Sequence, residues 1–426
     1  MVRQVRRALP FVLAAALILG PAIPAHAAAG DPDPGFGAGG EAFAGFPGRD
    51  EAGHAVAVAA NGKVIVAGTS ESGAFDVEVM RFTTGGVLDN TFDGDGIRKT
   101  SFGGTDHGRA VAIQPDGKVV VAGYSLNPAP NSSAIVARYT TTGAFDASFS
   151  GDGKKVVNWP GVTQSGAYGV AIQADGKIVL AGFALPGDFA VARLNPNGTY
   201  DNTFDGDGRV TIDIGPNDTA FAVAIQDDQT IVVAGNAIAD DASAVRFGVA
   251  RLNTDGTLDG SFSGDGVLRT PFSGEDAYAL GVAVQGDGKI VAAGLVTSAT
   301  ATDFALVRYN ANGALDTSFA VGGKRSTSFD QNDSANGVAI QGDGKIVAGG
   351  ATYDGSDTDF ALARYTTGGN LDAGFGVGGK VTTGFGAPDF ADGVAISPVD
   401  GKIVLAGGTL AGPDPSNFAV VRYLVA

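Results

Sequence analysis

Three sets of side chains in this sequence have the types and spacing for chemistry. The first is a series of acids. Glu51, Asp106, Asp218, Asp333 and Asp389 each stand four residues before a Val- and Ala-rich segment, Asp276 stands five before one, and Ser165 takes the same place once. Brought around one opening, such acids would focus a negative potential and favour a cation or a metal ion. Each could equally accept hydrogen bonds from its own loop backbone, as Asp and Ser do in turns. The second set pairs an Arg with an Asp eight residues on: Arg81 with Asp89, Arg138 with Asp146, Arg193 with Asp201, Arg251 with Asp259, Arg308 with Asp316 and Arg364 with Asp372. A charge in a covered strand needs a partner, and by the same rule Arg422 should pair with Asp33. The third set is His54 and His107, each just before such a segment. They could form a catalytic or metal pair if further ligands converged on them.

Other motifs lead back to turns. Phe92-Asp93-Gly94-Asp95-Gly96 and Phe204-Asp205-Gly206-Asp207-Gly208 alternate acids as a calcium loop does, but lack the third acid and the distal Glu. No cofactor is expected, with calcium at these loops as the alternative. The repeated Asp-Gly-Lys is followed by Val or Ile and a strand, not by Ser or Thr and a helix, so it is a turn and not a phosphate loop. The chain has no Cys, which excludes thiol catalysis and cysteine metal sites.

What would position these residues is a hairpin. Gly337 to Gly350, Gly-Val-Ala-Ile-Gln-Gly-Asp-Gly-Lys-Ile-Val-Ala-Gly-Gly, places an Asp-Gly turn between two short apolar runs. Copies begin at Ala55, Ala110, Gly169, Ala222, Gly281, Gly337 and Gly393, a period near 56 residues. In the sixth copy the spacing predicts strands over Gly337–Gln341, Lys345–Ala348, Phe360–Tyr365 and from Lys380 to about Phe385. Second strands such as Ile231-Val232-Val233-Ala234 are apolar without alternation, the pattern of a sheet covered on both faces. Four short strands per repeat with both faces covered predict an all-β fold: a seven-bladed β-propeller, four antiparallel strands per blade. The seventh copy runs to Arg422-Tyr423 without a fourth strand, while Asp33 to Gly40 copies the Asp-x-x-Phe segment that follows third strands elsewhere. The ring is therefore expected to close with the N-terminal strand completing the last blade. Trp159 occupies a slot filled by Phe in most copies and is expected in the core.

The hairpin Gly-Val-Ala-Ile-Gln-x-Asp-Gly-Lys-Ile-Val, the Phe-Ala-x-x-Arg-Tyr strand and the Leu-Asp-x-x-Phe turn together resemble delta-60 repeats over nearly all of the chain after residue 27. The hairpin is also similar to that of NHL propellers, whose repeats mostly serve binding. The resemblance implies a bacterial, exported β-propeller without an assigned activity. Asn61-Gly62-Lys63, Asp228-Gln229-Thr230 and the lengthened Ser397-Pro398-Val399 depart from the hairpin pattern only in its turns.

Arg3, Arg6 and Arg7, an apolar run from Ala8 to about Ile23 and then Ala25-His26-Ala27 predict a signal peptide over residues 1–27, with a propeller over 28–426. The location is then secreted or extracellular. Removing the peptide takes the formal charge from -17 to -20, which disfavours nucleic acid and anionic membrane, and no later segment is apolar enough to insert. A monomer is expected. The expected function is a non-enzymatic binding or scaffold module whose loops on one face take a protein or glycan ligand. The alternative is a propeller enzyme, a hydrolase or lyase acting on extracellular glycans or phosphate esters with acids at the channel mouth.

Overall fold

A computed structural model describes residues 27–45, 49–71, 73–126, 131–239, 244–272, 275–411 and 416–426. The expected signal peptide lies outside the described residues except for Ala27. The described chain is all-β, with 28 strands in four-stranded antiparallel units. The first unit is Glu51–Val58, Val64–Glu71, Phe75–Phe82 and Ile97–Thr100, each paired antiparallel with the next. Later units repeat this order, with first strands Thr105–Ile113, Ser165–Ile172, Thr219–Ile225, Ala277–Val284, Asn332–Ile340 and Asp389–Ile396. A single parallel bridge, Thr302 to Asn332, joins the fifth and sixth units into one eight-stranded sheet. The unit beginning at Asp389 takes its outermost strand from Glu41–Ala44, which pairs antiparallel with Asn417–Tyr423, Glu41 opposite Val421.

Units stack face to face, so a second strand contributes to two cores. Ile231 and Val233 pack with Val179 and Val191 of the unit before, while Val232 and Ala234 pack with Ile290 and Ala292 of the unit after. This is why these strands carry no polar alternation. The last and first units share a core in the same way: Val404, Ala406, Phe418 and Val420 pack with Val64, Val66 and Met80. Each first strand lies against the first strands of its neighbouring units, and Glu51–Val58 lies against Asp389–Ile396. Trp159 is buried with Val157, Ile178 and Leu180.

The first three strands of the sixth unit are longer than their sequence pattern predicts, and the fourth stops short of Phe385. They run Asn332–Ile340, Ile346–Tyr353, Thr358–Tyr365 and Lys380–Thr383, so the first two extend past the Gly residues that seemed to end them. The reason is a β-bulge. In every unit the register between first and second strands slips by one residue, and a Gly of the second strand lies opposite the slip. A Cβ at Gly68, Gly123, Gly182, Gly235, Gly294, Gly350 or Gly407 would stand 1.8–1.9 Å from a first-strand carbonyl oxygen. Only Gly permits that approach, and the ladder continues beyond it.

Candidate functional site

The unpaired residue of each bulge is the first of a triplet facing a cavity of ≈ 400 Å³, lined by three consecutive residues from each of the seven first strands. Those seven residues are His54, Arg109, Tyr168, Phe221, Leu280, Asn336 and Asp392. The two residues after each are small or Val, so the bulge residue sets the chemistry of its segment of wall. Bulges commonly re-aim side chains next to functional sites.

Around the cavity the chemistry divides into two arcs. On one, Asn336 Nδ2 donates to Asp392 Oδ1 at 3.3 Å and to the Ala391 carbonyl at 2.8 Å, and His54 Nδ1 lies 2.8 Å from Asp392 Oδ2. A carboxylate only accepts, so His54 carries its proton on Nδ1 and leaves Nε2 as the other ring position. Arg109 Nη2 donates to the Tyr124 hydroxyl at 3.2 Å, and Nη1 stands 3.5 Å from His54 Nδ1. Tyr168, Phe221 and Leu280 form the opposite, apolar arc, with the Tyr168 and Phe221 rings 5.1 Å apart.

The aromatic arc continues outward. Phe75 stacks on His107 at 5.4 Å, His107 lies 4.7 Å from Tyr124, Tyr124 meets Tyr168 at 6.0 Å, and Tyr168 meets Phe183 at 5.8 Å. All of these rings are half-buried, and none belongs to the cores between units. Burial, reinforced by the charge of the neighbouring Arg109, pushes the His107 imidazole down to about 4, so it sits in this strip uncharged. His54 and His107 thus have separate surroundings, one beside a carboxylate and one among rings.

The acids expected around the opening are elsewhere. Glu51, Asp106, Asp218, Asp333 and Asp389 lie within or at the edge of first strands and are 0–1% exposed. Each stands three positions before its bulge residue, an odd offset, and alternation along a strand turns it to the opposite face. There it serves its own loop. Asp106 Oδ2 accepts the Phe102 amide at 2.5 Å, Asp218 the Ile214 amide at 2.8 Å, Asp333 the Phe329 amide at 2.6 Å and Asp389 the Phe385 amide at 2.7 Å. Glu51 accepts the Ser70 hydroxyl at 3.2 Å. Asp276 reaches across a seam to the Val245 amide at 2.7 Å, and Ser165 accepts the Ala134 amide at 3.3 Å. Burial pushes Asp218 and Asp389 up to about 6 despite these amide donors.

At the other end of the units each Arg meets its Asp. The Nε to Oδ2 distances are 2.7 Å for Arg81–Asp89, Arg193–Asp201, Arg251–Asp259 and Arg422–Asp33, and 2.8 Å for Arg138–Asp146, Arg308–Asp316 and Arg364–Asp372. The Phe three residues past each Asp lies under the guanidinium, at 4.3–4.9 Å. Each Nη1 then donates to a backbone carbonyl of the next unit: Arg81 to Thr141 at 2.5 Å, Arg138 to Pro196, Arg364 to Val425 at 3.0 Å and Arg422 to Thr84 at 2.7 Å. The hairpin Lys joins in, with Lys63 Nζ 2.7 Å from Asp89 and Lys402 Nζ 2.7 Å from Asp33. In the alternating-acid loops Asp93 pairs with Arg98, and Asp95 and Asp207 cap the amides of Ile97 and Arg209. Among the described residues no group of three or more His, Asp or Glu side chains is placed to hold a metal ion.

Six segments, residues 59–92, 114–149, 173–204, 226–262, 285–319 and 341–375, match a family model described as a domain of unknown function (DUF5122) beta-propeller. The chain is a β-propeller repeat protein. Each matched segment runs from the hairpin turn to the Asp-x-x-Phe loop and so contains one Arg–Asp pair of the propeller but no bulge residue. Among the curated proteins no sequence matches it. The propeller is similar to solved structures at low identity. A polysaccharide lyase of the PL25 ulvan lyase family, bound to a GlcA(1-4)Rha3S unit, is 12% identical with a TM-score of 0.51, covering 90% of this chain and 96% of that one. A protein of unknown function from Dyadobacter fermentans is 12% identical with a TM-score of 0.48, covering 92% and 100%. Chaetomium thermophilum Sqt1 bound to the N-terminus of ribosomal protein L10 is 13% identical with a TM-score of 0.48, covering 90% and 98%. At such identities the likeness concerns the fold alone. Among the described residues no helix is long and apolar enough to cross a membrane.

The sequence carried a signal for the bulge ring that the search for acids passes over. The residue immediately before each hairpin start is His, Arg, Tyr, Phe, Leu, Asn and Asp in turn, different in every copy.

Proposed function

We propose that the chain is an exported, monomeric, seven-bladed β-propeller of delta-60 repeats that binds a ligand in its central channel and does not turn it over. What supports closure is the core shared by the first and last units, the bond from Arg422 to Thr84 and the pairing of Glu41–Ala44 with the last unit. The single observation that carries binding is the bulge ring: seven equivalent positions, seven different side chains, all on one cavity. A wall serving only the fold would repeat, as the Arg–Asp pairs do. Cavities of this size, mostly apolar with a few convergent polar groups, are typical of small-ligand sites. The test is calorimetry of residues 28–426 against panels of oligosaccharides, peptides and small acids, repeated with Tyr168→Ala. Saturable binding that weakens in the variant supports the reading; binding indifferent to Tyr168 removes it.

One observation favours an enzyme as the second reading. Asp392 fixes the His54 tautomer beside Arg109 and Asn336, an arrangement in which a neutral imidazole could act as a base. Product formation from glycans or phosphate esters, abolished by His54→Gln, would replace the first reading by this one.

A further inference from the structure

Resting on the channel-binding reading, we infer that the ligand is a carboxylate carried on a six-membered ring, with its anionic group on Arg109 and its ring face against Tyr168 and the aromatic strip. Arg109 is the reason for the charge. It lines the cavity, and among the described residues no carboxylate stands within ion-pair distance of it. The cavity acid, Asp392, is already occupied by His54 on one oxygen and Asn336 on the other. Because His54 Nδ1 bears a hydrogen toward Asp392, the neighbouring Arg109 Nη1 has no acceptor there, and Arg109 Nε is buried without a partner. A guanidinium on the cavity wall whose Nη1 lacks an acceptor fits a carboxylate through a charge-assisted hydrogen bond.

The aromatic side defines the body of the ligand. Tyr168 and Phe221 face the cavity opposite the polar arc, and Tyr124 touches both Arg109 and Tyr168, with the guanidinium 5.5 Å from the Tyr124 ring centre. Guanidinium and ring faces are therefore within the span of one ring-bearing acid. His107 adds no second positive charge, being held neutral. Together with the acidic chain this disfavours a polyanion and leaves room for one negative group. A sugar acid and an aryl acid share this chemistry, and the strip running out through Tyr124 and His107 to Phe75 offers further stacking faces to an oligosaccharide but nothing to a small aryl acid.

The experiment is calorimetry of residues 28–426 with a glucuronate-terminated disaccharide and with benzoate, each against its neutral counterpart, the unoxidised disaccharide and benzamide. Arg109→Gln, Tyr168→Ala and a control, Val377→Ser on an exposed loop, are compared with the parent. At least one acid should bind more tightly than its neutral counterpart. Arg109→Gln should weaken that acid by about 10- to 100-fold, the worth of a charge-assisted hydrogen bond, and erase the preference over the neutral compound. Tyr168→Ala should weaken both, and Val377→Ser neither. A stronger response of the disaccharide acid to Phe75→Ala identifies the sugar source; preference for benzoate identifies the aryl source. Failure of both acids to bind, or binding untouched by Arg109→Gln, overturns the inference. If neutral or cationic compounds from the wider panel then bind and depend on Tyr168, the channel-binding reading survives it; if nothing depends on Tyr168, both fall.

Discussion

The two ends of each repeat obey opposite rules. Where third strands end, all seven units build the same clasp: Arg on Asp, Phe beneath the guanidinium, and a bond into the next unit. At the bulge of the first strand the seven units present seven different side chains to one cavity. The clasp sits between neighbours, so each copy meets the same partner geometry and the same residues satisfy it. The bulge residue faces the cavity that the seven first strands line, and not a copy of a fixed neighbour. Repetition thus marks the contacts between units, while the residues that face the cavity differ from copy to copy.

The largest effect expected from this contrast lies at Asp33. It holds Arg422 and Lys402 at 2.7 Å, and removing one partner of a buried ion pair costs about 3–5 kcal/mol. Asp33→Ala should lower the unfolding free energy measured by urea titration by that amount and expose Glu41–Ala44 to early hydrogen exchange. An unchanged midpoint would break the clasp half of the comparison.

Next is the Gly that admits the bulge. A Cβ on Gly123 would stand 1.8 Å from the His107 carbonyl oxygen, so Gly123→Ala must push the first strand away. Overpacking of this kind costs about 1–3 kcal/mol, read by thermal unfolding. It should also displace Arg109 and weaken any channel ligand, although neither residue touches position 123 from the cavity side.

A smaller contrast is one of sign. At Asp146 and Asp201 burial opposes ionisation, yet the Ser148 or Thr203 hydroxyl and amide together with the arginine outweigh it and hold both carboxyls at about 2. Their folded values lie below the unfolded one, so they contribute stability above pH 4 that is lost as pH falls toward 2. Asp218 and Asp389 lie at about 6, above the unfolded value, so each contributes stability below pH 4 that is lost as pH rises through 6. Urea midpoints measured between pH 4 and 6.5 should therefore slope less steeply downward in Asp218→Asn than in the parent. Identical slopes would remove the assignment.

Smallest in stability is the bulge ring itself. Arg109→Gln should change the unfolding free energy by less than about 0.5 kcal/mol, as for a side chain outside the core. The like change at Arg138, paired with Asp146 and buried, should be severalfold larger. Equal costs would erase the distinction between clasp and ring.

Much of the repeat was legible before any coordinates. Spacing alone marked the hairpins, the Arg and Asp partners, and Asp33 as the match for Arg422, because these depend on local turns and on a partner at fixed sequence distance in every copy. The hairpin Lys was legible as part of a turn but not as a second cation on the clasp Asp, since that contact crosses from one hairpin to a loop about 26 residues on. The acids before each first strand were visible too, yet their orientation was not. A slip of one residue at the bulge decides which face each side chain takes, and the small residues around it fit either register.

The sequence by itself therefore determined a chain of four-stranded antiparallel units with covered faces, because apolar runs, Asp-Gly turns and matched charges act over short separations. Only the tertiary structure decided which side chains share a cavity. His54 and Asp392 are 338 residues apart and meet at 2.8 Å because the first strand of the first unit packs against that of the last, a relation that depends on how all the units pack and not on any single one.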